Sequence, residues 1–293
     1  MNRFLILLAA FILLSCLSSN TSNSSAEKSL EELIKMQKAI VIEGKIFDDA
    51  IDFTALLEKK LIGENIYQVD VESVITFKNC VFNEPVTAYH ATDDKTVITV
   101  FHSNLSFIGC KFNSDLNLRA ANIYGRLDLS KSKFFGTSSF EEMSCLQNAY
   151  FTDGYFDKDV RFQNSFFTQK INFMNTQFNE TVSFQNAVFN SEAQFSVCKF
   201  YGYADFSLVE YRGHAFFNYV QFHERADLSN AYFTRDLNYS GTLNKMTTFE
   251  NSRFMSKINF SKSKVSESFN LEKCFFLLGV PALDFIDAEK VKL

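Results

Sequence analysis

The chain contains no tryptophan, 2 prolines, 10 glycines and 4 histidines in 293 residues. So little glycine argues against a meander of antiparallel hairpins, whose tight turns need positive φ and favour Asn-Gly pairs. Few prolines and an apolar fraction of 46% exclude a low-complexity or disordered chain. No GxSxG, phosphate-binding loop, glycine-rich dinucleotide turn or HExxH occurs, so no catalytic, cofactor or metal motif is expected. The histidines, His90, His102, His214 and His223, are scattered. The net charge of −5 lacks the basic excess of a nucleic-acid surface, so no nucleic-acid partner is expected. What the chain has in quantity is phenylalanine, 35 of them.

Arg3 is the only charge before an apolar run from Phe4 to Leu14. The run is too short to span a bilayer and suits the core of a signal peptide. It leads into Leu13-Leu14-Ser15-Cys16, which resembles the bacterial lipobox. That resemblance implies acylation of Cys16 after removal of residues 1–15. It implies an exported protein anchored to a bacterial membrane, periplasmic or at the cell surface. Two or three acyl chains hold a protein far better than one. Residues 16–27 are rich in Ser and Asn and read as a flexible tether. Ser29 and Glu32 then have capping-box spacing, and Leu30, Leu33, Ile34, Gln37 and Val41 predict a short amphipathic helix over 28–39. It would open an N-terminal cap over 28–74.

From Leu105 onward the chain aligns in blocks of eleven, as in "INFMNTQFNET", "VSFQNAVFNSE" and "AQFSVCKFYGY". Position 1 is aliphatic or small and position 3 is Phe or Leu. Position 6 is small and position 8 is mostly Phe. The remaining positions are polar. An earlier copy sits at Ile75–Phe82, residues 83–100 are irregular, and the register slips by one residue near Leu243 before resuming. On a helix, positions 1 and 3 would lie about 200° apart, so no single face would be apolar. Two short extended legs per block fit instead. In each, a small and a large residue two apart point the same way. Four legs close a coil of two blocks.

The blocks Ala204-Asp205-Phe206-Ser207-Leu208 and Ala226-Asp227-Leu228-Ser229-Asn230 resemble the pentapeptide-repeat family, with every second quintet stretched to six residues. The resemblance covers roughly 75–278. It implies an all-β fold, a right-handed quadrilateral β-helix with a short helical or irregular N-terminal cap. The extra residue is expected at two of the four corners. Residues 279–293 would form a C-terminal cap or tail, and an apolar end at 274–286 could join two copies as a homodimer.

Cys80, Cys110, Cys198 and Cys274 take position 6 and Cys145 takes position 8, which predicts buried thiols without disulfides. Asp205 and Asp227, one coil apart at position 2, are expected to face solvent. The aromatic residues Tyr150, Tyr155, Phe166, Tyr201, Tyr203, Phe216 and Tyr219 fall at outward positions. Of these, Tyr201, Tyr203, Phe216 and Tyr219 are the candidate binding surface; the simpler role for all seven is local cover over corners. The expectation is a non-enzymatic, lipid-anchored scaffold for an unidentified protein partner. Two alternatives are weighed. Some pentapeptide-repeat proteins mimic DNA and bind type II topoisomerases, but those act in the cytoplasm. An enzyme on envelope polysaccharide has no constellation of residues behind it.

Overall fold

A computed structural model of the chain describes residues 25–36, 39–243, 245–260, 263–283 and 286–293. Cys16 and the tether through residue 24 lie outside them. The fold is a parallel β-solenoid: short strands stack level on level in three sheets of 18, 12 and 11 strands. Each level has four legs, as in Ile171–Asn172, Gln177–Phe178, Val182–Ser183 and Val188–Phe189, followed by Ala193–Gln194 above the first. The largest sheet holds the first and second legs. Ile171 lies under Ala193 and Val182 under Ala204, so each level takes 22 residues.

The four apolar positions of the block all point inward. Ile171, Phe173, Thr176 and Phe178 are each fully buried. Position-3 rings stack along the axis, Phe162 on Phe184 at 4.7 Å and Phe184 on Phe206 at 4.8 Å. Rings from the opposite leg mesh between them edge-on: Phe184 meets Phe173 and Phe195 at 5.3 Å and 81°. Parallel stacking up a leg and edge-to-face contact across the axis are both favoured arrangements. With the small and aliphatic side chains of the other two columns they make up the interior, which is why the sequence repeats phenylalanine.

The two corners of a block differ, and that explains the alternation of five and six. At the five-residue corner the position-6 N–H donates back to the position-3 carbonyl, Ala187 to Phe184 at 2.9 Å. Position 5 of that turn has positive φ in every regular block, for example 60° at Asn175 and 59° at Asn186. The sixth residue sits at the other corner, where no such bond closes. The φ > 0 demand that argued against hairpins is met here most often by asparagine, which tolerates this region better than other L-residues, and elsewhere by residues such as Ala120, Lys131 and Leu208. Backbone bonds between levels alternate in direction. Ile171 and Phe173 donate to the level above, Gln177 and Asn179 to the level below.

The solenoid begins earlier than the legible repeat. Ala39–Glu43 pairs with Val74–Lys78, and Ile46–Phe47 with Val81–Phe82. The helix covers Ser25–Met36 rather than 28–39. Ser29 therefore lies inside it, and Val41 is in a strand. Leu30 and Ile34 are buried against the first level, and the Ile34 carbonyl accepts a hydrogen bond from Ser73. The irregular stretch at 83–100 belongs to an arm. Ile66–Val71 and Thr96–Phe101 run past the fourth leg and gain antiparallel partners, Lys59–Gly63 and Tyr89–Ala91. At the other end Val291–Lys292 adds a last strand beside Phe269–Asn270, while Leu283 and Ile286 close over the core.

The register slip near Leu243 is a one-residue deletion. Pairing runs Phe217 to Tyr239, then Val220 to Gly241. A side chain at Gly241 would meet the Val220 carbonyl oxygen at 1.9 Å, so the shortened strand needs glycine there.

Candidate functional site

The outer polar side chains have an internal role that the repeat imposes. At the tight corner the position-4 N–H needs an acceptor, and the position-2 side chain supplies it. Asn172 accepts from the Met174 N–H, Asp205 from Ser207 and Asp227 from Ser229, all at 2.9 Å. These are Asx turns. Asp205 and Asp227 do stack one level apart, as their spacing predicts. The expectation that both face solvent is corrected, because Asp227 is buried. Besides Ser229, it accepts a hydrogen bond from Arg225 at 2.6 Å. A carboxylate so engaged holds the corner.

Position 6 makes a second set of bonds. Ser132 donates to the Phe107 carbonyl and Thr176 to Phe151, both at 2.7 Å, and the Cys198 thiol to Phe173 at 2.9 Å. The five cysteines in the described residues are free. Burial pushes the Cys198 thiol up to about 12 and Cys145 to about 11. Cys80 and Cys110 occupy this slot on successive levels. Contact between the two thiols lowers Cys80 and, together with burial, raises Cys110, whose thiol donates to the Phe77 carbonyl. Asparagines at position 5 link levels from outside, Asn186 donating to Asn164 at 2.7 Å and Asn175 to Asp153 at 2.8 Å. The sequence shows this column, but its meaning depends on the positive φ.

The four candidate surface aromatics do not converge. Tyr219 sits at the tight corner between the first and second legs and is the most exposed of them, at 64%. Phe216 is half-buried on the first leg. Tyr201 and Tyr203 lie at the wide corner after the second leg. Tyr201 stacks on His223 at 4.4 Å, and the guanidinium of Arg225 sits 5.8 Å above the Tyr203 ring. No ring contact joins any two of the four. His214 stands 3.8 Å from Asp236, away from His223.

A charged cluster lies near the first level, where sequence reasoning did not place one. The Asp70 carboxylate accepts from Lys60 at 2.6 Å and from His102 and Gln68. Burial pushes this carboxyl up, but the hydrogen bonds from Lys60, His102 and Gln68 outweigh it and hold the group at about 2. The pairing joins the arm's strands, and only the fold brings residues 60, 70 and 102 together.

Among the described residues no three His, Cys, Asp or Glu side chains gather as metal ligands would. A hollow of about 160 Å³ lies at the C-terminal end, between Ser256–Ile258 and Leu278–Pro281. Ligand pockets usually span roughly 300–1,000 Å³. No helix in the described residues is long and apolar enough to cross a membrane. No family model, curated protein or solved structure matches this chain.

Proposed function

We propose that the protein is an eleven-residue, phenylalanine-rich variant of the pentapeptide-repeat family, anchored to a bacterial membrane through acylated Cys16, and that it works as a binding module without catalysis. The division of labour within each coil supports this reading. The large side chains go to the interior. The position-2 and position-6 polar groups go to the solenoid's own backbone, as Asp227 and Thr176 show. What is left to meet other molecules is a set of long faces and two ends. Such a body presents surfaces, holds things apart or docks a partner.

The anchor is tested by metabolic labelling with a fatty-acid probe. The wild-type chain takes up label and Cys16→Ala does not; label persisting in the variant refutes acylation at Cys16. The binding role is tested by capture from membranes with the anchored protein. Serine at Tyr201 and Tyr203, which share the wide corner, should weaken capture of a defined protein, whereas Asp205→Asn with Asp227→Asn should leave it nearly unchanged. Capture of a type II topoisomerase instead would favour DNA mimicry. Cleavage of an envelope polysaccharide, abolished by the double Asn variant, would replace this reading with an enzyme.

A further inference from the structure

The outward positions of the solenoid change character from level to level. Up the first leg they read Val41, Thr76 and, beyond the buried Ser106, Asp128. Up the second leg they read Ile46, Val81, Lys111 and Lys133. Both series run from apolar at the first level to charged at the fourth. The arm repeats the pattern. Its edge strand Lys59–Gly63 is exposed along its whole length, with Leu61 65% and Ile62 53% exposed, and Ile66 follows in the next strand. Met36, at the end of the helix, is exposed as well. Around the N-terminal end, the apolar residues that a folded chain usually hides are turned outward on three sides. They stand among the exposed charges of Glu43, Lys59 and Glu64.

We propose that this first level is a membrane-contacting foot: the solenoid stands on its N-terminal end with Val41, Ile46, Leu61, Ile62 and Ile66 in the headgroup region of a lipid bilayer. The proposal rests on the anchored reading, which fixes the distance. Eight residues, nine Cα steps, separate Cys16 from Ser25, where the helix begins. Nine steps of the chain reach no further than about 30 Å. The helix ends beside Ser73 on the first level. An acylated Cys16 therefore keeps this end, and not the far one, within reach of the bilayer. The headgroup zone suits the foot chemically. It still offers water to the open edge of Lys59–Gly63, while accepting aliphatic side chains. The exposed apolar residues at the opposite end, Phe275, Leu277, Leu278 and Val280, are then left free for a partner.

The absence of tryptophan provides a clean reporter. Leu61→Trp and, as a control at the far end, Leu278→Trp are made in the full chain; both sites are exposed, so neither disturbs the core. Each is mixed with phosphatidylcholine/phosphatidylglycerol vesicles, with and without brominated acyl chains, in the wild-type and Cys16→Ala backgrounds. The expected result is a blue shift and loss of most of the Leu61→Trp emission on brominated vesicles, with Leu278→Trp unchanged. If the acylated protein floats with the vesicles but Leu61→Trp is not quenched, the foot is refuted and the anchor stands. If Leu61→Trp is quenched in the Cys16→Ala chain too, the foot holds without the anchor. A blue shift that follows protein concentration without lipid would mean that a second copy pairs with the open edge, and would overturn the proposal.

Discussion

Val197 occupies the same corner slot as Asn175 and Asn186, with φ of 64°. Valine is a poor choice there. The left-handed region costs an ordinary L-residue about 1–2 kcal/mol, and a β-branched residue is an outlier in it. The Val197 N–H donates to the Asn218 carbonyl at 2.8 Å, so the ladder through the neighbouring levels holds the corner in this conformation. Its side chain is 40% exposed, so little packing compensates. Val197→Asn should then stabilise the solenoid by about 1 kcal/mol by relieving that strain. Val197→Gly should gain less, because glycine gives back about 0.5–1 kcal/mol in the unfolded chain. The reverse change, Asn186→Val, should cost about 1–2 kcal/mol from strain. It also removes the bond to Asn164. Because contacts run only between neighbouring levels, the effect should be local, and hydrogen exchange is a better reader than a melting curve. Amides of residues 173–200 should exchange more slowly in Val197→Asn and faster in Asn186→Val. If Val197→Asn has no effect or destabilises while Asn186→Val is silent, the corner does not discriminate side chains and the account of position 5 is wrong.

Phe184→Asp should open the surrounding levels, because an unpaired carboxylate would sit among five phenylalanine rings at a cost of several kcal/mol, while Gln185→Asp stays within about 0.5 kcal/mol. Equal melting losses for the two would show that the inward and outward positions are misassigned. Asp70 has a folded pKa of about 2, below its ordinary 3.8. The stability it contributes is present above the ordinary value and is lost as pH falls through 2. Asp70→Asn should therefore lower arm stability most above pH 5, where the wild-type carboxylate is fully ionised, and converge on the wild type as pH falls through 2; an unchanged acid limb refutes the role. Iodoacetamide on the native protein should leave Cys198 unmodified, since its thiol is fully buried and raised to about 12. After denaturation without reductant, mass spectrometry should find the five thiols free, and any cross-linked pair would contradict the core assignment.

The coil was legible because its constraint repeats. Every level must place the same kinds of side chain at the same four inward slots, so one packing rule is written into the sequence many times over. Position 6 and the Asp205–Asp227 spacing were legible in the same way. Their chemistry was not, because Asp227 reads as an exposed acid until the corner turns its carboxylate onto the Ser229 N–H and Arg225. The four surface aromatics show the limit from the other side. Outwardness can be read from a position, but proximity cannot, and Tyr201 and Tyr219 stand at different corners.

The sequence by itself determined the period, the inward columns, the widened corners, the deletion near Leu243 and the lack of a catalytic motif. These follow from local spacing, and local spacing is what a sequence records. Only the tertiary structure decided the two ends. The first level, Ala39–Val71, has a partner on one side only, so it departs from the repeat and cannot be recognised by it. Its helix, its arm and the Asp70 cluster join residues far apart in the chain, and no short-range pattern encodes such a meeting. Stacking repeats itself along the rod, whereas each end of the rod is met once.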